Sequence, residues 1–291
     1  MSNERSVDTC ATTTDALAWQ ARRGASRRPG AFAHALLKSS VVCWFLVAAA
    51  GQLLFVYYLL SLYGRAAARG DWLVLNKVMP HGYVPGDGPG NAVIVLHIAL
   101  AVVILVGGLL QLVPALRQRA PAWHRWNGRV YLFAVCATSL GGLYMTWVRG
   151  SVGDVTQHLG ISLNAVLIWL CAIMALRHAV ARRLALHRQW ALRLYLVANG
   201  VWFFRVGLMF WILLNHGPVG FDQDSFTGPA LSFLSFAQFL LPLALLEIYF
   251  AVQRQERAGL RIGFAASLFI LAAATGIGIF GALMGLWLPN L

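Results

Sequence analysis

Acidic residues are scarce in this chain of 291 residues: ten Asp and Glu stand against 23 Lys and Arg, and charged residues of both signs reach only 11%. A soluble domain of ordinary composition carries about a quarter charged residues, so that class is excluded. Cysteine is sparse and carries no motif. Cys43, Cys136 and Cys171 lie in apolar runs and Cys10 in a polar arm, without CxxC or CxxCH spacing. A zinc ribbon, covalent haem attachment and a disulfide framework are thereby disfavoured. No GxGxxG follows a strand pattern, and no soluble stretch is large enough for a flavin or nicotinamide fold. No basic face interleaved with aromatics lies on a soluble domain, so the net charge of +13 is not read as nucleic-acid binding. A cleavable signal pattern is missing too, because about 40 mostly polar residues precede the first apolar run.

What the chain has in abundance is apolar length. Apolar residues make up 59% and the mean hydropathy is +0.67. Runs of about 20 apolar residues are long enough to cross a bilayer as helices. The pattern predicts an all-α, polytopic bundle of about seven spans, near 41–63, 91–113, 121–148, 155–177, 189–214, 229–253 and 263–287. Residues 1–40, with Arg22, Arg23, Arg27 and Arg28, read as a basic, largely flexible cytoplasmic arm before a transmembrane domain of residues 41–291. The longest connection, 64–90, ends in a stretch from Pro80 to Gly90 dense in Gly and Pro, which means turns.

Lys and Arg alternate between the two sets of loops. The arm and alternate turns hold eighteen, among them Arg117, Arg119, Arg125, Arg129, Arg177, Arg182, Arg183, Arg188, Arg193, Arg254, Arg257 and Arg261. The opposite side holds four: Arg65, Arg69, Lys77 and Arg149. By the positive-inside rule this predicts a cytoplasmic N-terminus and an outer C-terminus.

Four histidines fall one to each of spans two to five. His97 precedes His124-Arg125-Trp126-Asn127-Gly128-Arg129-Val130-Tyr131 by 27 residues, and His158 precedes His187-Arg188-Gln189-Trp190-Ala191-Leu192-Arg193-Leu194-Tyr195 by 29. The offset of 61–64 residues suggests a duplicated architecture within a central four-helix bundle, about 91–214. With the predicted orientation, His97 and His158 lie towards the outer face and His124 and His187 towards the inner. A b-type haem takes two axial imidazoles facing each other across a bundle. The expected ligand pairs are therefore His97 with His158 and His124 with His187, for one or two haems. A non-haem metal or small-ligand site, and hydrogen-bonded or lipid-contacting structural histidines, are the alternatives; the structural reading is the one for His34, His81, His178 and His216, which lack matching partners.

The pattern of His97, then His124-Arg125 with Gly128-Arg129 and Tyr131, then His187-Arg188 and Arg193, resembles an uncharacterised bacterial multi-pass membrane family, catalogued as a domain of unknown function. The resemblance covers roughly residues 45–250 and implies a bacterial inner membrane. More distantly, four histidines on four consecutive spans resemble the transmembrane dihaem cytochromes b, including the ascorbate-reducible and ferric-reductase types. That likeness implies the same two pairs and electron transfer across the membrane, with a quinone or a separate redox protein as partner.

The flanking residues fit more than one role. Arg125, Arg129, Arg188 and Arg193 suit haem propionates, an anionic substrate or lipid phosphate. Trp126, Trp190, Tyr131 and Tyr195 suit a porphyrin or quinone ring, or a simple interfacial belt. Arg205 and Glu247 are the expensive intramembrane charges; they are expected to pair, with Asn164, Asn199 and Gln111 joining a polar network. The paired glycines Gly107-Gly108 and Gly141-Gly142 allow close approach of helices or a flat cofactor. A non-haem transporter or sensor built on the polar residues, and a structural membrane protein, are the competing functional readings.

Overall fold

The computed structural model describes residues 5–291 except 80, 151 and 152, with side chains described from Gly30 onwards. The chain is 85% helical. Among the described residues the only strand-like pairing is an isolated bridge between Asp222 and Thr227. In chain order the α-helices are α1 (Arg5–Leu59), α2 (Arg65–Arg69), α3 (Gly88–Leu112), α4 (Pro114–Arg119), α5 (Pro121–Trp147) and α6 (Val155–Val180). They continue with α7 (Leu184–Ala198), α8 (Gly200–Leu214), α9 (Pro229–Arg254) and α10 (Ala258–Ala282). Among the described residues six segments are each long and apolar enough to cross a membrane, and the pair α7 and α8, bent by 53°, makes up to seven if it counts as one span. Each of the seven expected segments is helical. Backbone that satisfies its own hydrogen bonds is what hydrocarbon demands.

The ends of these helices follow from local chemistry. Asp87 caps α3 by accepting from the Gly90 amide at 2.9 Å, and Asp154 caps α6 by accepting from the Gln157 amide at 2.9 Å. Pro114, Pro121 and Pro229 open α4, α5 and α9, where a missing N–H costs nothing.

A π turn (Leu60–Gly64) ends the first span, and α2 with a 3-10 helix (Trp72–Lys77) fills the first half of the connection, ahead of the Gly- and Pro-dense stretch that begins at Pro80. The expected arm is helical from Arg5 and continuous with the first span; its four clustered arginines precede Gly30, so their side chains lie outside the described ones. The fifth span is not straight but breaks at Asn199.

The chain divides into two units, Met1–Leu46 with Glu247–Ala272, and Val47–Leu246 with Ala273–Leu291. In the first, Leu37, Val252, Ala265 and Leu268 form a small core. The second carries the histidines. There α3 packs on α5, α5 on α6 and α6 on α7. Gly108 of α3 faces both Tyr131 of α5 and Tyr195 of α7, a methyl there lying 3.1 Å and 3.2 Å from the two rings. The four helices thus form a ring around Ile104, Val135, Ile168 and Val197. Lipid is as apolar as these side chains, so close packing and interhelical hydrogen bonds hold the ring together.

One loop is fastened to the ring by a single side chain. Arg149, with its side chain only 6% exposed, pairs with Asp87 at 3.1 Å. It also donates to the His81 carbonyl at 2.9 Å and to Asn91 Oδ1. Asn91 in turn bonds the Val84 amide and carbonyl. This clasp holds the Pro-rich loop over the start of α3.

Candidate functional site

The sequence pairs four histidines in two levels, and the two levels differ. At one end of the ring His124 stands in the first turns of α5 and His187 in the first turn of α7. His187, Arg117 and Arg125 all lie close enough for their charges to act on His124. Nδ1 of His187 lies 2.9 Å from the Ala175 carbonyl of α6. Only a protonated Nδ1 can donate there, so the ring is held with Nε2 as its free electron pair, the usual arrangement behind a metal-ligating histidine. His124 is held by its backbone instead: its carbonyl accepts from Gln111 Nε2 at 2.9 Å, while its own Nδ1 is buried without a partner. Asn127 Nδ2 bonds the Gly107 carbonyl at 2.9 Å. Together these bonds knit α3 to α5 at this end.

At the other end the expected partners meet α5 at different residues. The His97 ring packs on Gly141 and Gly142, with Nδ1 3.3 Å from where a methyl on Gly141 would sit. The His158 ring packs edge-on to Trp147 at 5.4 Å between centroids. These contacts are five to six residues apart along α5, a rise of about 8 Å. Space that the glycine pair was expected to leave for a cofactor is taken by His97 itself. His97 also lines a cleft of about 350 Å³ between α3 and α5, together with Val93, Leu100, Ala137, Leu140 and Tyr144. His97 Nδ1 and His158 Nε2 are both buried without partners. So is Nδ1 of His178, which the sequence placed among the structural histidines.

The flanking residues separate by burial. Arg125, Arg129 and Arg188 are exposed. Trp126 is exposed with Arg129 over its face at 5.8 Å, and Arg193 lies over Trp190 at 4.8 Å. The tryptophans therefore carry arginines. Tyr131 and Tyr195 are buried rather than belted at an interface, since Gly108 leaves the slot that receives both rings.

The polar network centres on a residue that the sequence reading passed over. Gln52, wholly buried on α1, accepts from the Tyr195 hydroxyl at 3.0 Å and donates to Asn199 Oδ1 at 3.1 Å. Asn199 Nδ2 returns to the Tyr195 carbonyl at 2.7 Å. This triangle satisfies groups freed by the break between α7 and α8. The only sequence signal for Gln52 was a lone amide inside an apolar run. Asn164 sits across from the break, its amide against Gly200. Gln111 does not join this network, being engaged with His124.

Arg205, on α8, is surrounded by aromatic side chains. Its guanidinium lies over the Phe55 ring at 5.4 Å, with Tyr58 and Tyr63 near enough to interact with its charge. Its expected partner Glu247 is an exposed residue of the other unit. Among the described residues no group of three or more His, Cys, Asp or Glu side chains gathers as a metal site.

Residues 94–251 match the family described as "Predicted membrane protein (DUF2306)". No curated protein matches the chain, and no solved structure does.

Proposed function

The chain belongs to that family of predicted membrane proteins, and we propose that it is a b-type haem protein of the bilayer, with His124 and His187 as the axial pair. The observation that carries this reading is the bond from His187 Nδ1 to the Ala175 carbonyl, which fixes the tautomer and leaves Nε2 available. The neighbouring His124 and its partnerless buried Nδ1 fit the same role. Bound there, haem supplies one-electron transfer, and the chain supplies ligands, orientation and a low-dielectric shell. Arg125, Arg129, Arg188 and Arg193 provide guanidinium groups at this end for the propionates. The reading is carried by this one pair; His97 and His158 meet α5 at different residues, and no bond of the His187 kind supports a second haem there.

In this reading the protein is a membrane component of a redox system, placed in a bacterial inner membrane with a cytoplasmic N-terminus and an outer C-terminus. The skewed distribution of Lys and Arg supports that orientation. The electron donor is a quinone or a separate redox protein. The test is a reduced-minus-oxidised absorbance spectrum of the detergent-purified chain with pyridine haemochrome quantitation. A b-type α-band with about one haem per chain is expected. A folded chain that takes up no haem on reconstitution sinks the proposal.

A second reading draws on the broken span at Asn199. Broken helices lining polar sites are a transporter device. Proton-coupled uptake in haem-free vesicles would establish it.

A further inference from the structure

The surroundings of Arg205 are rich in hydrogen-bond donors. Five N–H groups belong to the guanidinium, and the bond found for them is a long one, 3.3 Å, to the Val201 carbonyl of its own helix. Beside it the Tyr58 hydroxyl is buried without a partner, and Tyr63 stands with its ring 6.4 Å from that of Tyr58. Trp287 is wholly buried against Phe55 and Tyr58, at 5.2 Å and 6.3 Å between centroids. Its indole N–H, which can only donate, has no partner. Among the described residues the groups near enough to act on the Arg205 charge are the phenols of Tyr63 and Tyr58.

An aromatic face offsets part of a cation's desolvation, and neutral phenols offset a little more. Neither neutralises the charge. A guanidinium at this depth is unfavourable unless it is paired or hydrated. Arg205 lies nine residues before the end of α8 at Leu214, about 14 Å along the helix. A partner reaching it from outside the chain must therefore be at home in hydrocarbon.

We infer that Arg205, Tyr58 and Tyr63 form a binding site for the oxyanion of a lipophilic molecule, its carboxylate or phosphate oxygens accepting from the guanidinium and the phenols. Phe55, which already lies under the guanidinium, is the apolar surface beside the site, and Trp287 backs it from the interior. The site does not depend on haem, and its test contains no haem readout.

The experiment is saturation binding to the purified full chain in phosphatidylcholine nanodiscs, with tritiated oleate and tritiated phosphatidate as separate probes. Saturable binding of about one probe per chain is expected. Arg205→Met should weaken it at least tenfold and Tyr63→Phe about threefold. Oleate alone assigns a carboxylate; phosphatidate alone assigns a phosphate. Tyr58→Phe and Tyr63→Phe each remove one hydroxyl and keep the ring, so they decide the matter if Arg205→Met does not fold. Absence of saturable binding by either probe overturns the inference, as does unchanged affinity in all three variants. It is overturned too if exchanging charges, Arg205→Glu with Glu247→Arg, restores folding lost in each single variant. The oxyanion would then be the chain's own.

Discussion

The two helical hairpins of the histidine-bearing ring, α3 with α5 and α6 with α7, start from similar sequence and end in different shapes. In the first, α4 fills the turn and α5 continues unbroken for 27 residues. In the second the turn is tight, with Arg182 in the left-handed region at φ 53°, and α7 stops after 15 residues at Asn199. Each hairpin is tied across its turn, but by different atoms. The first uses Gln111 to the His124 backbone, leaving the ring free; the second uses the His187 ring itself. A repeat thus preserves the position of a histidine without preserving what the histidine does. His187 is oriented by a bond, whereas His124 is oriented by packing.

The sharpest way to break this comparison is to remove one histidine from each level. His187→Leu should abolish the b-type spectrum, and His158→Leu should leave at least most of it. Equal loss in both variants would restore the two-level scheme expected from the repeat. Next in size is Arg149→Ala, which strips a nearly buried guanidinium from Asp87, Asn91 and the His81 carbonyl. Hydrogen bonds to charged groups contribute about 1.5–3 kcal/mol each way of counting, so a loss of about 2–4 kcal/mol is expected. It should appear in unfolding titrations in micelles, with faster amide exchange across residues 81–91.

The glycine pairs occur in the first hairpin alone. Gly108→Ala places a methyl 3.1 Å from Tyr131 and 3.2 Å from Tyr195, and overpacking of this kind costs about 1–3 kcal/mol. The equivalent stability measurement on Gly128→Ala, whose methyl would meet Gln111 no nearer than 3.6 Å, should be close to neutral apart from the usual helix gain. Asn199→Ala tests the second hairpin by deleting the amide that links Gln52 to the Tyr195 carbonyl. Intramembrane hydrogen bonds are modest, so about 1–2 kcal/mol is expected for the pair.

The smallest effect lies outside both hairpins. Asp222 accepts from the amide and hydroxyl of Ser225, at 2.7 Å and 2.8 Å, and these bonds hold its carboxyl below the usual value. A carboxylate depressed by folding stabilises its loop above the unfolded pKa. That contribution is lost as pH falls through the lower folded value. The protection factor of the Ser225 amide should therefore fall only below about pH 4, and should not change between pH 5 and 8.

How much of this was legible follows from the kind of signal each feature leaves. Spans announce themselves because about 20 apolar residues have few other places to go, and the caps at Asp87 and Asp154 sit where short acidic side chains precede helices. The clasp was half visible: Arg149 was read as a loop charge, but its partner Asp87 stands 62 residues away and no local pattern joins such partners. Gln52 lies 147 residues from Asn199, and a lone amide in an apolar run leaves no period to detect. The break at Asn199 was hidden for a related reason. Residues around it remain apolar, so hydropathy alone continues the span straight through.

By itself the sequence determined that the chain is a helical membrane protein, where its long apolar segments lie, and which four of them carry a histidine. Those properties are sums over neighbouring residues, fixed by the transfer of side chains into hydrocarbon and by local backbone chemistry. Only the tertiary structure decided that His187 is locked while His97 fills a glycine cleft. It alone placed Tyr131 and Tyr195 on Gly108, and Arg205 among aromatic rings. Such choices depend on which distant surfaces fit at van der Waals contact, and in a bilayer that fit, rather than apolarity, selects one packing from many.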